Sequence, residues 1–383
     1  MIGDFAASAS VRVRAVTLHK HLSDTLNISI CYLRKRGLRM QFNAVISSDL
    51  SLDKSPHGSA THRPAGPQDA LLCDMNLPYD ETFYPIGYPI EIITNEPLVL
   101  IAARESFGHA RLARDRAPLP VHFGVCRRHK SAVPPEPTRR EFNHLYSLVA
   151  DAENQALLDL KTGANFTWLT QAAIENRLYF RHNFLEKIVY LLLGASVVTD
   201  IHAACVSRNG NGILLCGGSG AGKSTLAYAC ARQGWVYTSD DTSYLINDSD
   251  PPRVIGHCHR ARFRPTAPLL FPELAGRPLA PRMEGKPSIE VSIAELSVTQ
   301  TASESTVDAI VYLKRCAGAV ARLDRLPTGS ATERLCKEVY SAGEIRAMHK
   351  KVLEKLWNIP TYELEYNDWH DAVRMLERIT RIT

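Results

Sequence analysis

Short apolar runs separated by Gly, Pro and Asn divide the second half of this sequence into alternating strand-like and helix-like segments. Residues 213–216 follow the turn residues Asn209 to Gly212 and have the length of a buried strand. The alanine-rich residues 225–233 predict a helix that ends at Gly234. Because strands and helices alternate in this way in layered α/β proteins, we expect an α/β fold.

The same patterns predict further elements. Predicted strands cover residues 90–93, 98–102, 119–125, 201–207, 235–238, 244–246, 307–313 and 362–366. Predicted helices cover residues 184–198, 332–349 and 368–379. Residues 142–150 fit either a strand or a helix.

Composition along the chain suggests three parts. Residues 1–75 predict a basic, low-complexity extension, because residues 50–70 are rich in Pro, Ser, Gly and His. Residues 76–141 predict a smaller β-rich N-terminal domain with a mixed or antiparallel sheet. Its end, from 127 onward, is charged and rich in proline, as a linker is. The remaining residues, 142–383, form the predicted main domain.

The overall charge does not indicate a nucleic-acid-binding protein. The formal net charge is +5, but the first 40 residues hold seven Lys or Arg against two Asp, which accounts for all of it. The rest of the chain has equal numbers of acidic and basic groups. Nucleic-acid-binding domains carry clustered positive charge, so we expect no nucleic-acid partner.

Cysteine spacing and hydropathy indicate the compartment. The nine cysteines show no C-x-x-C pair and are odd in number, which argues against a disulfide framework or a zinc ribbon. The longest apolar stretch, residues 188–198, is too short to cross a bilayer. We therefore expect a cytoplasmic protein without a membrane span. The sequence leaves open whether the protein forms a homo-oligomer.

A glycine-rich segment between the predicted strand 213–216 and the predicted helix 225–233 matches the phosphate-loop pattern G-x-x-x-x-G-K-[ST]. Glycines let successive N–H groups face a phosphate, the lysine adds positive charge, and the serine hydroxyl offers a ligand to Mg²⁺. We expect ATP and Mg²⁺ as cofactors and a solvent-facing lysine. The predicted nucleotide-binding residues are Gly217, Gly218, Ser219, Gly220, Ala221, Gly222, Lys223, Ser224 and Thr225.

Two adjacent carboxylates, Asp240 and Asp241, follow the predicted strand 235–238. If this strand neighbours the loop strand, both lie beside the terminal phosphate. One carboxylate then binds Mg²⁺ and the other accepts a proton from the acceptor hydroxyl. Their order is open, although Ser224 and Asp240 are the metal ligands that we assign. A helix cap or turn is the alternative explanation of the pair.

Three arginines alternate along the segment that follows. Arg260, Arg262 and Arg264 place two guanidinium groups on one face of an extended backbone, which suits phosphate binding. Solvation at the surface explains the same pattern.

His202, the loop ending in Lys223-Ser224 and the pair Asp240-Asp241, in this order, resemble the catalytic domain of HPr kinase/phosphorylase. The resemblance implies a P-loop domain of the phosphoenolpyruvate-carboxykinase-like kind and transfer of phosphate to a serine on a small carrier protein. It also implies catalytic roles for His202, Lys223, Asp240 and Asp241. His202 reaches the site if its strand runs parallel to the loop strand; a structural histidine at a strand end is the alternative.

The family's Glu-x-Arg-Gly signature is not found here, and residues 257–264 hold its place. Residues 1–140 also differ from the family's usual N-terminal domain. Both departures argue against HPr itself as the acceptor.

Three functions therefore compete. The first is an ATP-dependent kinase acting on a serine of an unidentified protein or peptide. The second is a kinase for a small molecule or a modified peptide. The third is a nucleotide-binding regulatory or assembly module with little turnover, which would not need both Lys223 and a proton-accepting carboxylate.

Overall fold

The computed structural model describes residues 76–126, 132–280, 287–296, 300–339 and 343–382. The residues from Tyr79 onward form one compact unit of mixed α/β structure. The predicted extension, residues 1–75, lies outside the described residues.

The first part of this unit is a seven-stranded mixed sheet with the strand order β1-β2-β3-β7-β6-β5-β4. Strands β2, β3 and β7 run parallel to one another, and the other neighbours are antiparallel. Its strands are β1 (Tyr79–Phe83), β2 (Ile90–Thr94), β3 (Leu119–Cys126), β4 (Thr138–Phe142), β5 (Leu145–Val149), β6 (Gln155–Asp159) and β7 (Asn165–Thr170).

The predicted strand at residues 98–102 is wrong, because these residues lie in helix α1 (Pro97–Phe107). Pro97 occupies the first helical turn, where its missing N–H costs no hydrogen bond. The Glu96 side chain accepts a hydrogen bond from the Leu98 N–H at 3.2 Å and caps the helix. A helix is also what the topology needs here, since the parallel strands β2 and β3 require a crossover connection.

The predicted domain boundary at residue 142 falls inside this sheet. Strand β4 ends at Phe142 and strands β5 to β7 follow it, yet all four belong to the same sheet as β1 to β3. The ambiguous residues 142–150 are the end of β4, a turn and β5. The β-rich part therefore extends to Thr170.

Helices cover this sheet. After α2 (Gln171–Glu175) and α3 (Arg177–Phe180), a π-helical turn (Arg181–Leu185) leads into α4 (Glu186–Ser196). The predicted helix at 184–198 thus exists, with its first turn in π form. Phe184 and Leu192 pack in one apolar cluster with Phe123 and Leu148 of the sheet.

The second part centres on a six-stranded sheet with the order β11-β9-β10-β18-β20-β19. Two smaller sheets adjoin it, in the orders β17-β13-β12-β8 and β14-β16-β15. The strands are β8 (Val198–Ile201), β9 (Ala203–Arg208), β10 (Asn211–Cys216), β11 (Val236–Ser239), β12 (Ser243–Ile246), β13 (Arg253–Gly256), β14 (Arg260–Phe263), β15 (Leu279–Ala280), β16 (Ser288–Ser292), β17 (Glu304–Thr306), β18 (Ala309–Arg315), β19 (Arg322–Arg325) and β20 (Thr361–Tyr366).

Four helices cover the two faces of the six-stranded sheet: α5 (Lys223–Arg232), α6 (Ser330–Glu338), α7 (Gly343–Leu353) and α8 (Trp369–Ile382). Successive side chains of a strand point to opposite faces. Accordingly, Ile213 and Leu215 pack with α5 and α8, whereas Leu214 and Cys216 pack with α6 and α7. Strand β10 is therefore buried on both faces, as its continuous apolar run predicts.

Strand β9 lies between the loop strand β10 and strand β11 and is antiparallel to both. The expectation that the strand before the aspartates neighbours the loop strand is therefore wrong. The cause is the two-residue turn Asn209-Gly210, where both residues have positive φ, at 54° and 85°. Asn-Gly in such a turn folds a chain back on itself as a β-hairpin, so β9 must pair with β10.

We predict that a fragment of residues 142–383 aggregates, whereas a fragment of residues 79–383 is monodisperse and melts cooperatively. The shorter fragment lacks β1 to β3 and so exposes the edge of β7 and the apolar side chains, such as Phe180, that pack against Phe123 of β3. Size-exclusion chromatography and thermal denaturation of both fragments check this. A cooperative melt of the shorter fragment at the same temperature would restore the boundary at 142.

Candidate active site

The glycine-rich loop connects the end of β10 to the start of α5, as the sequence predicts. Gly217, Gly220 and Gly222 have positive φ angles of 145°, 90° and 101°. Side chains other than glycine rarely adopt this conformation. A Cβ atom on Gly222 would also overlap the hydroxyl oxygen of Tyr366. The loop conformation thus requires glycine at positions where the pattern has it.

Tyr366, at the end of β20, braces this loop. Its hydroxyl donates a hydrogen bond to the carbonyl oxygen of Ala221 at 2.8 Å, and its side chain is buried. The sequence analysis did not identify this residue. Its position was the available signal, because ligands of open α/β sheets bind beyond the carboxyl ends of the parallel strands.

The start of α5 presents unused N–H groups. The first backbone hydrogen bond into the helix runs from the Leu226 N–H to the Gly222 carbonyl oxygen at 2.8 Å. In the described part of the chain, the N–H groups of Lys223, Ser224 and Thr225 have no backbone acceptor. Free N–H groups together with the helix dipole make this end of α5 suitable for an anion.

Lys223 does not face solvent, contrary to the expectation, since only 6% of its surface is exposed. Its Nζ donates to the Gly217 carbonyl oxygen at 2.8 Å and lies 2.9 Å from His202 Nε2. Burial lowers the pKa of the Lys223 ammonium, and the Asp241 carboxylate opposes this effect. The loop thus holds its own lysine in place.

His202 lies between β8 and β9, at the same sheet edge as the loop. The expected parallel strand is wrong, but the antiparallel β9 gives the same result, because its first residue, Ala203, pairs with Cys216 at the end of β10. An ammonium group only donates hydrogen bonds, so His202 Nε2 accepts from Lys223. The ring proton is then on Nδ1, which lies 3.6 Å from Asp241 Oδ1.

The two aspartates after β11 have different environments. Asp240 is 8% exposed, and its Oδ2 accepts a hydrogen bond from the Arg262 backbone N–H at 2.7 Å. Burial raises the pKa of Asp240 to about 6, against the effect of that hydrogen bond. The Asp241 side chain is 45% exposed and faces His202. One carboxylate is thus enclosed and the other open to a partner molecule.

The two residues that we assign to the metal are in contact through the Asp240 backbone. The Ser224 hydroxyl donates to the backbone carbonyl oxygen of Asp240 at 3.3 Å. Within the described residues, no group of three or more His, Cys, Asp or Glu could hold a metal ion by itself. Mg²⁺ usually takes one or two protein oxygens together with phosphate oxygens and water. A serine hydroxyl and one carboxylate beside a phosphate loop fit Mg²⁺ that arrives with a nucleotide.

The three alternating arginines have different partners. Arg260 and Arg262 both face Glu290 of β16, at 3.9 Å and 3.0 Å. Arg264 instead donates a hydrogen bond to Ser219 Oγ of the loop at 2.8 Å. The expected pair of guanidinium groups on one face exists but is neutralised in part by a carboxylate, and only Arg264 reaches the loop.

The structure places every predicted site residue at one edge of the six-stranded sheet. Their chemical roles stay predictions. Gly217 to Thr225 form the loop and the start of α5, while His202, Asp240 and Asp241 lie at the adjoining ends of β9 and β11.

Neither a protein-family model nor a curated protein sequence matches this chain. Among solved structures, the chain is similar to the Hpr(Ser) kinase/phosphatase from Coxiella burnetii, with a TM-score of 0.26 and 11% sequence identity. The alignment covers 48% of this chain and 88% of that chain. A TM-score this low does not establish a shared fold. Among the described helices, none has the length and apolar character to cross a membrane.

We predict that Asp240→Asn stabilises the protein at about pH 7.5 by about 2–3 kcal/mol and has little effect at about pH 4. The wild-type pKa of about 6 exceeds the ordinary value, so ionising Asp240 costs free energy that is absent at low pH and fully present above pH 6. Denaturant unfolding in EDTA without nucleotide measures this. Asp248→Asn, at a side chain that is 69% exposed, is the control. Equal effects at both pH values would contradict the enclosed carboxylate.

Proposed function

We propose that this chain is an ATP-dependent phosphotransferase that uses Mg²⁺ and transfers phosphate to a serine hydroxyl of a protein or peptide. The observation that carries the proposal is the meeting of a glycine loop, a buried lysine, a histidine and two unequal carboxylates at one sheet edge. The proposal includes the phosphoenolpyruvate-carboxykinase-like form of the P-loop domain. The antiparallel β9 beside the loop strand distinguishes this sheet from the mostly parallel nucleotide-binding sheets.

The loop and α5 provide the phosphate site. The unused N–H groups at the start of α5 donate to phosphate oxygens, and the Lys223 ammonium neutralises their charge. Lys223 exchanges its present acceptor, the Gly217 carbonyl, for a phosphate oxygen. ATP would supply the phosphoryl group, and Mg²⁺ held by Ser224 and Asp240 would supply positive charge that offsets the phosphate charge.

The different burial of the aspartates supports different roles. Asp240 is enclosed and adjoins Ser224, which suits a metal ligand that never meets the acceptor. Asp241 is half-exposed and can receive a hydroxyl group from outside. We therefore assign Asp240 and Ser224 to Mg²⁺ and Asp241 to the proton of the attacking hydroxyl.

His202 connects the base to the phosphate lysine. Its Nε2 accepts from Lys223 while its Nδ1 faces Asp241, so the ring orients both groups. His202 acts through its neighbours, so we regard it as a positioning residue.

Turnover is favoured over a pure binding module by the half-exposed Asp241, which nucleotide binding alone does not require. The open position of this carboxylate also suits a side chain on a macromolecule. The cysteines in the described part are free thiols, which supports a cytoplasmic location with ready ATP.

The direct test is incubation of the protein with Mg-ATP and a peptide or protein acceptor. Labelled ATP in a cell lysate, followed by mass spectrometry, identifies acceptors by their added phosphate. Small-molecule acceptors appear in the low-mass fraction. A protein that binds Mg-ATP but labels nothing and releases no ADP is a binding module, which would overturn the proposed transfer.

We predict that Lys223→Met weakens Mg-ATP binding at least about tenfold and removes turnover while the melting temperature stays close to wild type. Methionine keeps the buried stem and removes only the ammonium. Lys223→Ala should be less stable than Lys223→Met, because it also removes the packing of a buried side chain. Calorimetric titration and thermal melts of both variants decide this. Unchanged nucleotide affinity in Lys223→Met would remove the phosphate-loop assignment.

We predict that Asp241→Asn lowers kcat by about 10²- to 10⁴-fold and changes the affinity for Mg-ATP by less than about threefold. The base contacts the acceptor and not the nucleotide. His202→Gln, which keeps a donor and an acceptor, should lower kcat less than Asp241→Asn does. Steady-state kinetics measure both effects, with Asp248→Asn as the control. Wild-type kcat in Asp241→Asn would assign that residue to a structural turn.

A further inference from the structure

We propose that Arg264 is a second phosphate-binding cation, whose guanidinium contacts the terminal phosphate of the bound nucleoside triphosphate from the open side of the loop. This inference rests on the proposed function and adds to it a catalytic residue outside the phosphate-loop pattern. It is carried by the position of Arg264, by its partners and by the charges around it.

The backbone at Arg264 is fixed on both sides. Before it, the buried Phe263 packs against Tyr228 of α5, with 5.1 Å between the ring centroids. After it, the Arg264 carbonyl oxygen accepts a hydrogen bond from the Ala267 N–H at 2.9 Å. Helix α5 begins at the loop, so this packing fixes the position of Arg264 relative to the phosphate site. The hydrogen bond from its guanidinium to Ser219 Oγ then extends the side chain over the loop.

The charge of Arg264 has no carboxylate partner within the described residues, unlike that of Arg260 and Arg262, which face Glu290. Its only described hydrogen bond goes to a neutral serine hydroxyl. Its positive charge also contributes to the lowered pKa of Lys223, so the two cations share one local field. Two cations on the same glycine loop, one buried and one exposed, leave positive charge that a polyphosphate would neutralise.

The two cations approach the loop at different places. The buried Lys223 donates to the carbonyl oxygen of Gly217, whereas Arg264 donates to Ser219 on the exposed side of the loop. In the transfer step, the acceptor oxygen forms a bond to the γ-phosphorus, and the bond from this phosphorus to the β,γ-bridging oxygen breaks. ADP leaves with the bond's electron pair, and the hydroxyl proton goes to Asp241. A guanidinium at the terminal phosphate stabilises the charge that develops on these oxygens.

A structural role for Arg264 predicts something different. An exposed hydrogen bond to a hydroxyl adds little to stability, so removal of the guanidinium should not affect folding. If Arg264 only tethers the loop, its loss weakens the binding of nucleoside diphosphates and triphosphates equally. If Arg264 contacts the terminal phosphate, its loss weakens the binding of the triphosphate alone. The two explanations are therefore separable by binding measurements that need no acceptor.

The test compares ADP with a non-hydrolysable β,γ-imido analogue of ATP by calorimetry in Mg²⁺, for the wild type, Arg264→Gln, Arg264→Lys and the control Arg260→Gln. We expect Arg264→Gln to lower the affinity for the analogue at least about tenfold and the affinity for ADP less than about threefold, with an unchanged melting temperature. Arg264→Lys should be intermediate, because it keeps the charge and loses the planar fork. Arg260→Gln should match the wild type. Where ADP release is measurable, Arg264→Gln should lower kcat about 10²-fold.

The possible outcomes test the role of Arg264 separately from the proposed phosphotransferase function. If Arg264→Gln lowers the affinity for both ligands equally, or for neither, the role proposed for Arg264 is wrong. The phosphate site is still supported in that case if Lys223→Met binds Mg-ATP more weakly than the wild type. A wild-type protein that binds neither ligand overturns the proposed function, and the role of Arg264 falls with it. If Arg264→Gln melts at a lower temperature than the wild type, Arg264→Lys replaces it in the comparison. The inference is then wrong if Arg264→Lys, like the control Arg260→Gln, prefers the triphosphate over ADP as strongly as the wild type does.

Discussion

The two-residue turn Asn209-Gly210 determines where the site residues meet. It folds β9 back onto β10, so that the start of one strand lies beside the end of the other. His202 is thereby placed next to the loop, and β11 can add to the free side of β9 and end with the two aspartates at the same edge. If β9 ran in the opposite direction, His202 would lie at the far end of the sheet from Lys223.

Charge in this site is arranged by depth. The inner layer holds Lys223 and Asp240, both nearly buried, and each is satisfied by the backbone: Lys223 by the Gly217 carbonyl and Asp240 by the Arg262 N–H. The outer layer holds Asp241 and Arg264, both in contact with solvent. Inner charges keep their positions when the site is empty, because moving them would leave a buried group without a partner. Outer charges are free to follow an incoming molecule.

The elements that local patterns determine could be predicted from the sequence. The loop glycines, β10 and α5 each follow from a pattern of neighbouring residues, and the structure contains all three. Errors arose where long-range pairing decides. Residues 98–102 are apolar enough for a strand, but the parallel β2 and β3 require a helix between them. The boundary at 142 followed a proline-rich composition, which does not reveal that the strands before and after it share a sheet.

The site shows the same division. The residue types of the loop predict a phosphate site, but they do not reveal the contact of Lys223 with His202 or the brace from Tyr366, which other strands bring to the loop. The brace also has a consequence for synthesis of the protein. A growing chain can form β10, the loop and α5 early, yet Tyr366 is added more than a hundred residues later. Until β20 has left the ribosome and paired with β18, the Ala221 carbonyl lacks its donor and the loop its support. Nascent chains would thus acquire an ordered phosphate loop only near the end of translation of this region, after the sheet beneath it is complete.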